Sequence, residues 1–127
     1  MLVNGGGFNG NDTQLMLGNG QFMDLTATAI SSTPITLQRT KRVYKLTASN
    51  STFTLNAGLY DGQEIIIFSS AVTAYAATST KVRITSMRKG DGKESNVEIT
   101  LNCRFLHLVW DSVNTCWMNT SYGGGLQ

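Results

Sequence analysis

The last long apolar run of the chain reads Phe105-Leu106-His107-Leu108-Val109-Trp110, then Asp111-Ser112-Val113-Asn114, then Thr115-Cys116-Trp117-Met118-Asn119-Thr120. Two apolar runs around a short polar break predict a β-hairpin, because Asp and Asn bond their own backbone and tolerate reversed φ in tight turns. Side chains alternate across a strand with a period of two. A tight turn therefore pairs Trp110 with Thr115 and Leu108 with Trp117. It sets Leu106, Leu108, Trp110 and Trp117 on one face and Phe105, His107, Val109, Cys116 and Met118 on the other. Both faces are apolar, which predicts cover on both sides. A second sheet of the same domain supplies one cover and a neighbouring subunit the other, since a chain of 127 residues seldom buries both faces of a strand pair unaided.

Working outward, β-branched and aromatic residues recur in short runs at 34–38, 42–48, 52–56, 63–70, 81–87, 96–101, 104–110 and 115–120. Ser49-Asn50-Ser51, Asp61-Gly62 and Gly90-Asp91-Gly92 separate them and supply turn residues. The Ala-rich stretch from Ala71 to Ala77 is the one helix candidate, and it is too short and too weakly amphipathic to read as more than a loop or one turn. The expected fold is all-β: an antiparallel β-sandwich, jelly-roll-like, over 25–122. Residues 1–24 are expected as a flexible N-terminal arm, because Asn4 to Gly20 is mostly Gly, Asn, Asp and Gln, and 123–127 as a flexible C-terminal tail. Leu15, Met16, Leu17, Phe22 and Met23 are the arm's apolar residues, which gain burial only on another surface.

Charged residues make up 14% of the chain, against about 25% in average soluble proteins. Net charge is +2 and apolar residues make up 41%, a balance that suits a β-protein with neutral surfaces and excludes disorder of the body. No heptads run, so a coiled coil is excluded. Ile65 to Phe68, among the longest apolar stretches, falls far short of the roughly 20 residues of a membrane helix. Met1-Leu2-Val3-Asn4 has neither the basic start nor the apolar core of a secretory signal.

The inventory for chemistry is thin: one His, two Cys, and eight carboxylates scattered along the chain. His107 sits in an alternating apolar strand, where packing or hydrogen bonding accounts for it. Cys103, Cys116 and His107 lack the fourth ligand of a structural zinc site. The hairpin register sets Cys116 across from Val109 and Cys103 near Tyr122, so both read as free thiols, which fits assembly in a reducing cytoplasm. Asp61 with Glu64 and Glu94 with Glu98 flank a turn and a solvated edge rather than a cleft. Gly5-Gly6-Gly7 lacks the Lys-Ser/Thr and helix of a phosphate loop. The expectation is a protein that is not an enzyme, with no metal and no cofactor. Basic residues gather at Arg39, Lys41, Arg42 and Lys45, and again at Arg88, Lys89 and Lys93. Tyr44 is the only aromatic among them, too few for a nucleic-acid platform, so Arg39, Lys41 and Arg42 read as a patch for an acidic partner or as a strand edge guarded by charge.

Phe53-Thr54-Leu55, Asp61-Gly62-Gln63-Glu64-Ile65-Ile66-Ile67, Val82-Arg83-Ile84, Val97-Glu98-Ile99-Thr100-Leu101, Leu106-His107-Leu108-Val109-Trp110-Asp111 and Trp117 follow one another in an order that resembles a module of tailed-bacteriophage virion proteins. The likeness spans 53–122. Such modules are similar to the small jelly-roll or sandwich domains of capsid decoration (cement) proteins and of fibres, often trimeric. The resemblance implies a decoration protein on the capsid exterior, a homotrimer bridging major capsid subunits, with neither nucleic acid nor membrane as partner. The alternative is a tail-fibre or spike module that binds a host receptor or glycan, with exposed Trp or Tyr stacking on sugar rings; the aromatic residues near the C-terminal hairpin suit that reading equally well.

Overall fold

A computed structural model describes residues 14–16, 22–70, 80–101 and 105–119. Among them the molecule is all-β: one mixed, curled sheet with no helix. Its strands are β1 (Gln14–Met16), β2 (Phe22–Ile30), β3 (Lys41–Leu46), β4 (Thr52–Leu55), β5 (Glu64–Ser69), β6 (Lys81–Lys89), β7 (Gly92–Thr100), β8 (Phe105–Asp111) and β9 (Cys116–Asn119). The sheet order is β1-β2-β3-β5-β8-β9-β6-β4, with β7 on the other side of β6. The stretch from Ala71 to Ala77, considered as a helix turn, lies outside the described residues.

The pairing departs from the antiparallel expectation. β2 runs parallel to β3 and β3 parallel to β5, with Ala27 opposite Val43 and Val43 opposite Ile66; β4 runs parallel to β6, with Phe53 opposite Val82. Parallel neighbours need a crossover between them. Here a segment of the other strip makes it: the chain leaves β3, passes through β4 beside β6, and returns to β5 beside β3. Segment 33–35 makes the same excursion between β2 and β3. The Ile35 N–H donates to Thr54 O at 2.9 Å, and the Thr54 N–H to Thr33 Oγ1 at 2.8 Å. Expected as a strand over 34–38, this segment is not one, because Pro34 brings no N–H to a ladder. Antiparallel pairing is kept for the consecutive strands β1 with β2, β6 with β7 and β8 with β9, and for β5 with β8, which are not consecutive.

Alternation builds the core. Tyr44, Leu46, Ile65, Ile67, Leu106 and Leu108 are buried on the β3-β5-β8 strip, and Phe53, Leu55, Val82, Ile84, Met87 and Ile99 on the β4-β6-β7 strip, all within one cluster. Trp110 and Trp117 belong to it too, their ring centroids 5.2 Å apart and edge to face. Tyr44 is fully buried, yet its hydroxyl accepts the Gln38 N–H and donates toward Lys41 O, so loop 38–41 satisfies it. Burial is also what pushes the Tyr44 phenol above its ordinary range.

β1 and the first three residues of β2, 22–24, fall where an arm was expected. β1 pairs antiparallel with β2, Leu15 opposite Met23 and Met16 opposite Phe22, and the expected boundary between residues 24 and 25 falls inside β2.

Candidate functional site

The β8-β9 hairpin expected over 105–120 is present, but its register differs. Trp110 lies opposite Trp117, Val109 opposite Met118 and Asp111 opposite Cys116, because the turn spans 112–115 and Thr115 is part of it. The expected faces survive this shift of two residues, since a strand's side-chain period is two.

Two motifs far apart in sequence meet at the base of this hairpin's turn. Asp61-Gly62 forms a turn closed by the Gln63 N–H on Tyr60 O at 3.1 Å, with Gly62 at φ 81°. Positive φ at that place favours glycine. The Gly62 N–H then donates to Trp110 O at 2.8 Å, and the Trp110 N–H to Gln63 O at 2.9 Å. Asp61 Oδ1 accepts the Ser112 N–H at 2.9 Å, while the buried Gln63 accepts the Leu59 N–H at 2.7 Å. Trp117 Nε1 donates to Asn56 O at 2.8 Å. Gly58 lies under the Trp110 ring so closely that a Cβ there would overlap ring carbons. The most motif-like residues of the chain thus form a structural corner, and both indole rings are buried: Trp110 is 6% exposed and Trp117 0%. The expectation of either ring stacking on a sugar at the surface is corrected by that burial.

Beside the corner, Glu64 links β3, β5 and β8. Its Oε1 accepts from Arg42 Nε at 2.9 Å and Nη2 at 2.7 Å, and its Oε2 lies 2.7 Å from His107 Nε2. The Arg42 bond, followed by the His107 bond, holds the Glu64 carboxyl below the usual glutamate range. His107 is thus a half-buried, hydrogen-bonded residue. The basic group does not lie at an edge, since β3 is flanked by β2 and β5. Arg42 is engaged by Glu64, Arg39 stacks over the Tyr60 ring at 5.1 Å, and Lys41 opens β3. Of the five apolar arm residues, Leu15, Met16, Phe22 and Met23 are brought together by the β1-β2 register, and Leu17 lies outside the described residues.

Cys116 is a free, buried thiol, raised by burial first and by Asp111 second; Cys103 lies outside the described residues. Glu94 and Glu98 do not approach as a pair but take up Lys89 and Arg83. Among the described residues no three His, Cys, Asp or Glu side chains gather as metal ligands, and no helix is long and apolar enough to cross a membrane.

The surface opposite the core on β3, β5, β8 and β9 was legible only in part. Val43, Ile66, Phe68, Val109 and Met118 are half-buried there, and Phe105 is 57% exposed beside Phe68. Strand alternation had assigned Phe105, Val109 and Met118 to this face, while Val43, Ile66 and Phe68 come to it through the parallel β3-β5 register, which short runs do not reveal. No family model, no curated protein and no solved structure matches this chain.

Proposed function

We propose that the chain is a non-enzymatic structural protein of a tailed bacteriophage, a capsid decoration (cement) protein that docks on the head exterior as a homotrimer and bridges neighbouring major capsid subunits. The observation that carries this reading is the row of apolar side chains Val43, Ile66, Phe68 and Phe105 on the outer face of β3, β5 and β8, set among Lys45, Glu64 and His107. Burying one large apolar side chain is worth about 1.5–3 kcal/mol, so a face of this composition favours contact with a second protein surface. Three linked copies would then reinforce one another through effective concentration. The placement of Leu15, Met16, Phe22 and Met23 in a β1-β2 hairpin at the sheet's outer end supports the same reading, since it gathers the arm's apolar residues at one edge.

The test is to purify virions of the encoding phage, identify the chain in them by mass spectrometry, and add the purified protein to heads assembled without it. Co-sedimentation with heads, a light-scattering mass of three chains and heads more resistant to heat are the expected results. Presence only in detached tails would favour the fibre or spike reading, and absence from virions would reject both.

A further inference from the structure

One row of the outer face runs across β2, β3, β5 and β8 as Ala29, Lys45, Phe68 and Phe105, each opposite the next in the strand registers. Lys45 points to this face because its neighbours Tyr44 and Leu46 point into the core. It is half-buried, and Phe105 at the end of the row is 57% exposed.

The other charges around the row are engaged within the fold. Glu64 holds Arg42 and lies 2.7 Å from His107, and Arg39 lies over the Tyr60 ring. Asp111, at the end of β8, accepts the N–H groups of Val113 and Asn114. Lys41 is engaged too. Lys45 differs: among the described residues its ammonium meets neither a carboxylate nor a hydrogen-bond acceptor. Adjacent strands lie about 4.8 Å apart, so a protein surface that covers Phe68 and Phe105 also reaches Lys45. An ammonium taken out of water without an anion opposes docking.

We infer that Lys45 selects the partner of this face: the protein surface that covers the row on the head presents an Asp or Glu carboxylate to the Lys45 ammonium from within an apolar patch. The inference rests on the docking proposed above and adds the partner's chemistry to it. Inside the contact a charge-assisted hydrogen bond is stronger than the same bond in water. A surface that offers an apolar or basic group at that place strands a buried cation and is rejected. Phe68 and Phe105 thus supply area, and Lys45 supplies discrimination.

Sedimentation of the full chain with heads assembled without it, at low and at high salt, tests the inference with K45M, K45R and K45E. The methionine variant keeps an unbranched apolar stem and removes the charge. K45M is expected to bind about tenfold more weakly than wild type, the loss expected for a hydrogen bond to a charged group, while K45R retains most of the binding. K45E binds more weakly than K45M, because it sets one carboxylate against another, and the salt dependence of wild type shrinks in K45M. All three variants melt near the wild-type temperature, since Lys45 makes no bond within the described fold; a purely structural role would lower it. K45M bound as tightly as wild type, or more tightly, overturns the inference, because the ammonium then bends to the rim and stays in water. K45E bound no worse than K45M overturns it as well. A change in the mass of the free chain by light scattering in K45M would place the carboxylate on a second copy and likewise overturn it. Heads that bind wild type and K45M alike reject this inference and leave the docking reading standing, whereas heads that bind neither reject both.

Discussion

The base of the β8-β9 turn, where Trp110 pairs with Trp117, and its tip at 112–115 are adjacent and are built on opposite terms. At the base, Trp110 and Trp117 are buried, their backbone and indole donors reach Gln63 O and Asn56 O, and the neighbouring turn is closed by Gly62 at the φ it favours. At the tip, Arg88 and Lys93 face each other in the β6-β7 ladder, Thr115 sits at positive φ and Val113 stands in solvent. Local conflicts at the surface of an otherwise consistent fold tend to mark sites of function rather than of stability. The residues most conspicuous in the sequence, the tryptophans and the Asp-Gly-Gln turn, hold the frame, while the least conspicuous ones carry the charge and strain exposed at the turn.

Breaking the base should have the largest effect. Trp117→Ala empties a fully buried position and removes the bond to Asn56 O, so a loss of about 3–5 kcal/mol is expected in urea unfolding. Gly58→Ala pushes a methyl group into the Trp110 ring and should cost about 1–3 kcal/mol, shown by a lower urea midpoint. Wild-type stability in either variant would show that the corner does not hold the frame.

The tip should respond in the opposite direction and more weakly. Thr115→Asn places a residue that tolerates positive φ where threonine does not, and should raise stability by about 1 kcal/mol. Calorimetry reads the sign directly, and a lower melting temperature would show that the threonine conformation is not a source of strain.

The pH response distinguishes the Glu64 bridge from both ends of the hairpin. The folded carboxyl of Glu64 is held below its unfolded value by Arg42 first and His107 second. Its contribution to stability is therefore present above the ordinary glutamate pKa and is lost as pH falls through that value toward the lower folded one. The partly exposed side chain keeps the effect small. Glu64→Gln should lower the neutral plateau slightly and flatten the acid limb by the same small amount, so that the two stability curves converge at low pH. An acid limb of equal slope in both proteins would exclude the bridge as its source.

Much of the architecture was readable from residues. The strands that carry large β-branched or aromatic residues, β3 to β6, β8 and β9, lie close to where alternation put them. Gly62, Gly90 and Asn50 occupy positive φ in the three turns their sequences announced. β2 was missed because Thr26-Ala27-Thr28-Ala29 carries too little apolar surface to register as a strand. Parallel pairing was missed because turn chemistry marks where a chain bends and not which neighbour it bends toward. Gly90-Asp91 returns the chain to the adjacent strand, whereas Ser49-Asn50-Ser51 and Asp61-Gly62 carry it between β4 and the strip of β3 and β5. The crowding at the tip had no signal in a linear reading, since Arg88 and Lys93 become opposed only through the β6-β7 register and meet Asn114 and Thr115 only in space.

The proposed docking of the outer face is tested most directly by Phe105→Glu, a change at a side chain 57% exposed and outside the core cluster. Sedimentation of wild type and variant with heads assembled without the chain compares them under one condition, with thermal melting as the check on folding. The account predicts that wild type pellets with heads and that the variant stays in solution while melting at the wild-type temperature. Equal recovery of both proteins on heads, or of neither, would contradict it.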